Sequence, residues 1–144
     1  MRILTLCLSV CIVLVFTGCR KYSDGPTISL LTKKNRLCND WILNFAQKNG
    51  NDITDKEETV KLVIEKDGTY SMSRVINALG QFQGTFSNGK WLFDEAKTKL
   101  VLYENGSEDP TNTFTIRELR SKSLTIEERF PSINLTYTYN YVIK

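Results

Sequence analysis

From residue 59 onward, apolar and polar side chains take turns along the chain with a period of two, the spacing of a half-buried β-strand. In TVKLVIEKDGTYSMSRVI, Val60, Leu62 and Ile64 share one face and Lys61 and Glu65 the other. Asp67-Gly68 is a hairpin signal, because glycine supplies the positive φ that such a turn needs. Tyr70 and Met72 open the return strand. QFQGTF groups Phe82, Gly84 and Phe86, Asn88-Gly89 reads as a second tight turn, and Trp91 and Phe93 alternate after it. Leu100 with Leu102, Phe114 with Ile116, and Leu124 with Ile126 mark further strands. In INLTYTYNYVIK, Ile133, Leu135, Tyr137, Tyr139, Tyr141 and Ile143 fall on odd positions and mostly polar residues on even ones. Residues 28–38 predict one short helical turn. Eight or nine strands result, depending on whether Asn88-Gly89 is a hairpin or a bulge. The short links predict an all-β, antiparallel up-and-down meander, and closure into a barrel removes its exposed edges.

The first residues follow a different rule. Met1-Arg2 supplies a positive charge, Ile3 to Phe16 is an unbroken apolar run, and Thr17-Gly18 gives the small residues that precede signal-peptidase cleavage. A membrane-spanning helix is the rival, and the uncharged run Ile3 to Cys19 reaches only the short edge of the roughly 17–25 residues that a span needs. Either would export the remainder. Phe16-Thr17-Gly18-Cys19 resembles the lipobox of bacterial lipoproteins, in which the cysteine after the cut is acylated; an ordinary signal peptide with a chance cysteine is the plainer alternative. The resemblance implies a signal peptide over 1–18, a lipidated Cys19 with a tether over 19–35, and a barrel domain over 36–144. Two or more acyl chains, at about 0.8 kcal/mol per buried CH₂, anchor a protein stably.

The stretch CRKYSDGPTISLLTKKNRLCNDWILNFAQKNGNDIT resembles the opening of small lipocalin-like lipoproteins of the Bacteroidota. It carries their Cys–basic–Tyr–x–x–Gly-Pro tether, a Lys/Arg-rich turn, a tryptophan on the first strand (Trp41), and Asn49, Gly50 and Asp52 after it. GKWLFDEAKTKLVL resembles their later hairpin. The resemblance implies a lipocalin-like barrel. Two positions depart from the lipocalin pattern: Asn39 stands where a glycine precedes the tryptophan, and the chain ends Val142-Ile143-Lys144 without the arginine that closes over it. Related lipoproteins reach the cell surface through an acidic stretch after the cysteine. Arg20-Lys21-Tyr22-Ser23 lacks one, which implies the periplasmic face of the outer membrane.

Composition narrows the chemistry. The 144 residues contain no histidine, which excludes Ser-His-Asp and Cys-His nucleophiles and removes the commonest metal ligand. Of four cysteines, Cys7 and Cys11 leave with the signal and Cys19 is lipidated, so Cys38 alone remains, as a small apolar residue between Leu37 and Trp41. Asp52, Asp55, Glu57 and Glu58, and again Glu104, Glu108 and Asp109, fit no calcium-loop spacing and read as solvated loop charge. A formal charge of +3 gives no basic face for nucleic acid. No enzyme, cofactor or metal is expected. Lys33, Lys34 and Arg36, with Arg20 and Lys21, lie near the anchored end and could meet anionic headgroups, with a merely solvated turn as the plainer alternative.

The candidate site is the barrel interior, lined by Trp41, Tyr70, Phe82, Phe86, Trp91, Phe93, Phe114, Tyr137, Tyr139 and Tyr141. It would take a small apolar or amphipathic ligand, unless side chains fill it. The alternative is a packed barrel acting as an assembly module for an envelope protein, through an exposed patch for which Val63, Val101 and Val142 are the candidates.

Overall fold

A computed structural model describes residues 30–56, 58–78 and 81–143, apart from the side chains of Asn77, Ala78 and Phe82. The signal segment and Cys19 lie outside the described residues. The chain opens with a short helix, α1 (Lys33–Leu37), started by the Thr32 side chain, which accepts from the Asn35 amide at 3.2 Å. Nine strands follow: β1 (Asp40–Lys48), β2 (Asn51–Asp52), β3 (Glu58–Ile64), β4 (Thr69–Ala78), β5 (Gln81–Phe93), β6 (Lys99–Glu104), β7 (Asn112–Leu119), β8 (Ser123–Phe130) and β9 (Leu135–Val142). Each of β3 to β8 pairs antiparallel with the next, and β1 pairs with both β3 and β9. Eight strands therefore close an up-and-down, lipocalin-like barrel, and β2 is a short extra strand paired to the end of β1.

Turn chemistry fixes the register. Gly68 (φ 96°) makes the β3–β4 hairpin, and Asp67 accepts from the Thr69 amide at 2.9 Å and hydroxyl at 2.7 Å. Asn49 (φ 50°) and Gly50 (φ 81°) turn β1 into β2. The Asn49 side-chain oxygen accepts from the Thr136 amide at 2.8 Å, pinning this turn to β9.

Asn88-Gly89 behaves differently from the expectation. No turn or bulge forms there, and β5 runs straight through all thirteen residues, with Gly89 paired to Tyr70 on one side and Glu104 on the other. Glycine is required by proximity, because a Cβ at this position would lie 1.9 Å from the Tyr103 carbonyl oxygen.

The core occupies one half of the barrel. Trp41, Leu37, Leu62, Ile64, Leu100, Leu102, Leu119, Leu124 and Ile126 are all sealed from solvent. Each aliphatic side chain among them contributes about 1.5–3 kcal/mol relative to exposure. They lie where β1 and β6 begin and β3 and β7 end, so this end is the closed base. Helix α1 caps it. Its Leu37 carbonyl accepts from the Trp41 indole at 2.8 Å, and Cys38 packs half-buried against the core, where desolvation raises its thiol pKa. Buried Arg36 of α1 donates from Nη1 to the Leu119 carbonyl at 2.7 Å, tying the helix to the end of β7. The closed ring of strands and its core lie wholly within residues 36–143.

Candidate ligand site at the barrel mouth

At the end opposite α1, strands β3, β5, β7 and β9 begin and β1, β4 and β8 end, and the inward alternation changes character. On β9 the inward series runs from buried Tyr141 through half-buried Tyr139 and Tyr137 to Leu135 at the rim. Tyr137 and Tyr139 are stacked, with ring centroids 6.1 Å apart and planes 10° from parallel. Phe114 of β7 meets Tyr139 edge-on at 6.3 Å, and Phe130 of β8 meets Tyr137 edge-on at the same distance. Such edge contacts each add about 0.5–1.5 kcal/mol beyond area burial. Four rings thus make one continuous wall, deeply covered at Phe114 and open at Phe130.

Polar groups face this wall. Glu58 shares the inward alternation of Val60, Leu62 and Ile64, and Arg74 that of Tyr70 and Met72. They form an ion pair at 3.1 Å with the Glu58 side chain largely covered. Glu128 pairs with Tyr137 across the β8–β9 ladder and accepts from the Asn112 side chain at 3.2 Å. Burial raises the Tyr139 hydroxyl pKa, and the neighbouring Glu128 charge adds to it while Arg74 opposes. Deep burial likewise pushes Tyr141 well above the ordinary phenol value. Both hydroxyls remain protonated donors at neutral pH.

The sequence-predicted residues separate into groups. Trp41, Tyr70, Trp91 and Phe93 belong to the base; Trp91 donates its indole N–H to the Glu65 carbonyl at 2.8 Å and meets Phe93 edge-on at 5.4 Å. Phe114, Tyr137, Tyr139 and Tyr141 form the mouth group. Phe86 is a correction: it is 78% exposed on the outer surface, beside Gly84 and Val75. Without a turn at Asn88-Gly89, inward Trp91 and Phe93 force Phe86 onto the opposite alternation. Phe82 is a strand residue paired with Asn77, and its side chain lies outside the described residues. Sequence reasoning missed Glu58, Arg74, Asn112, Glu128 and Phe130. The signal was available in the parity of Val60 with Glu58 and of Met72 with Arg74, but their charge suggested solvent. Among the described residues no cluster of acidic or cysteine side chains could hold a metal ion.

No protein-family model matches the chain, and no curated protein matches it. Solved structures do. The odorant-binding protein from bovine nasal mucosa, and bovine odorant-binding protein complexed with its natural ligand, each align at 14% identity over 81% of this chain and 77% of that one, with a TM-score of 0.46. A complex of the bovine protein with a selenium-containing odorant aligns at 15% identity over 74% of this chain and 72% of that one, with a TM-score of 0.44.

Proposed function

We propose that this is a lipid-anchored binding protein of the cell envelope, tied to the periplasmic face of the outer membrane through Cys19, that holds a small amphipathic molecule in the barrel mouth. The observation that carries the ligand half is the stacked Tyr137–Tyr139 pair with its Phe114 and Phe130 partners. It is an aromatic wall left half-open on the inward side of a barrel whose other half is sealed. Phenol hydroxyls, the Arg74–Glu58 pair and the Glu128–Asn112 pair give such a guest a polar edge to bond, as ligand pockets commonly do. The anchor is supported by the Phe16–Cys19 pattern at the border between an apolar run and a basic-polar tether.

Native mass spectrometry of the mature protein purified from its own host tests both halves. A mass increment on Cys19 matching acyl chains, together with a small molecule that co-purifies and is lost from Tyr137→Ala/Tyr139→Ala, is expected. An unmodified Cys19 would overturn the anchor. Retention of the molecule by the double variant would overturn the mouth as its site.

The assembly-module alternative gains no surface from Val63, Val101 and Val142. Val63 lies between Asp40 and Ser71, Val101 between Leu92 and Thr113, and Val142 between Ile42 and Ser123, so none of the three pairs with another and they share no common patch. Exposed Phe86 beside Val75 is the observation that keeps the alternative in play. A polypeptide that co-purifies and is released by Phe86→Ser would favour it over the carrier.

A further inference from the structure

The mouth uses none of the chemistry at the other end of the barrel. There a cleft of about 630 Å³ opens between α1 and the β5–β6 hairpin. Its apolar surface is Trp91, Phe93 and Leu92, and its charged surface is Lys33, Lys34 and Lys97, with Asp67, next to the lining residue Gly68, within electrostatic reach of Lys34. Lys34 holds its ammonium 6.0 Å from the Trp91 ring centroid, within cation–π range, so a positive group is stationed over an aromatic floor. The Lys33 ammonium is buried in the same wall. Exposed apolar side chains surround the opening: Leu30 is fully exposed, and Leu31 and Leu92 are about half exposed. Lysines beside exposed leucines are the composition of a surface that lies on a bilayer.

Position adds a second argument. The described chain begins at Leu30, on the α1 side, and ten residues, 20–29, separate Leu30 from Cys19. The eleven steps from Cys19 to Leu30 span at most about 40 Å even when fully extended, so an anchor at Cys19 ties the barrel to the membrane from its α1 side.

We infer that the basal cleft receives the phosphate of an anionic phospholipid headgroup, with Leu30, Leu31 and Leu92 entering the headgroup boundary, so that the barrel stands base-down with its mouth toward solvent. The orientation rests on the Cys19 anchor proposed above; the cleft and its charge do not.

The test uses the chain from Arg20 to Lys144, which keeps the whole closed barrel and lacks the anchor residue. It is co-sedimented with vesicles of pure phosphatidylcholine and with vesicles containing about one-third phosphatidylglycerol. Binding to the anionic vesicles only is expected, weakened at least tenfold by Lys34→Glu/Lys97→Glu and unchanged by Lys56→Glu near the opposite end. Equal binding to both vesicles, no binding to either, or an unaffected Lys34→Glu/Lys97→Glu variant would overturn the inference. So would saturation of the cleft by dissolved glycerol 3-phosphate without vesicle association, which would mark a site for a soluble anion. Thermal melting of each variant separates lost binding from lost folding. The acyl mass on Cys19 and the mouth ligand are read on the host-purified protein, so their failure is distinguishable from failure here.

Discussion

Gly89 and Tyr103 face each other across the β5–β6 ladder so closely that a Cβ on the first would fall 1.9 Å from the carbonyl oxygen of the second. The obstacle is backbone in a paired strand, which cannot swing aside as a side-chain end could. Gly89→Ala is expected to destabilise the barrel by about 1–3 kcal/mol, the usual range for overpacking. Gly84→Ala, where the nearest atom is 3.4 Å away, should lie within about 1 kcal/mol of the parent. Urea denaturation followed by tryptophan fluorescence compares the two. Equal midpoints would show that β5 and β6 can separate at no cost.

Arg36 of α1 is buried, and its Nη1 satisfies the Leu119 carbonyl. Arg36→Met keeps most of the apolar stem and leaves that carbonyl without its donor. A loss of about 1–3 kcal/mol follows from the unmade bond. The same denaturation experiment measures it, and an unchanged midpoint would show that water replaces the guanidinium.

Phe86 and Phe114 differ by twenty-eight places and by everything that matters for stability. Phe86→Ser, on the outer surface, should change stability by no more than about 0.5 kcal/mol. Phe114→Ala, inside, should cost about 3–5 kcal/mol. Thermal melts of both variants decide it, and a large loss at Phe86 would place that ring against something inside the fold.

Alkaline stability depends on the β9 tyrosines. Burial raises the pKa of Tyr141 and Tyr139 in the folded barrel above the unfolded value of about 10. Their contribution is complete below that value and is lost as pH climbs past it, because the unfolded chain ionises first. Tyr141→Phe should therefore move the alkaline unfolding transition to higher pH. Circular dichroism against pH is the measurement, and a transition that stays in place would exclude Tyr141 as its cause.

Much of the fold was readable from alternation because burial on one face imposes a period of two, and β3, β8 and β9 follow it closely. The β5 strand was misread because Asn-Gly is a turn signal only when both residues are free to adopt positive φ. Here Gly89 is selected by a close backbone approach instead, and the displaced turn reversed the assignment of Phe86. The tyrosine row of the mouth was visible as a row. Its polar partners were not, since alternation places Glu58, Arg74 and Glu128 inward while their charge points to solvent, and the pairing of Glu58 with Arg74 and of Glu128 with Asn112 reconciles the two. The basal cleft was invisible as a shape, because Lys34, Trp91 and Lys97 meet only after α1 folds across the barrel end.

The strand overlaps are unequal. β1 shares only three residue pairs with β3, at Asp40, Trp41 and Ile42, whereas β4 and β5 share ten. Beyond Ile42 that flank of β1 turns to β2 and to Thr54, whose hydroxyl accepts from the Ala46 amide at 3.0 Å. A hoop parts where its staves overlap least, so amide protons along the upper part of this seam should exchange with solvent before those of the β4–β5 ribbon. A guest too wide for the resting mouth would find its give on that side.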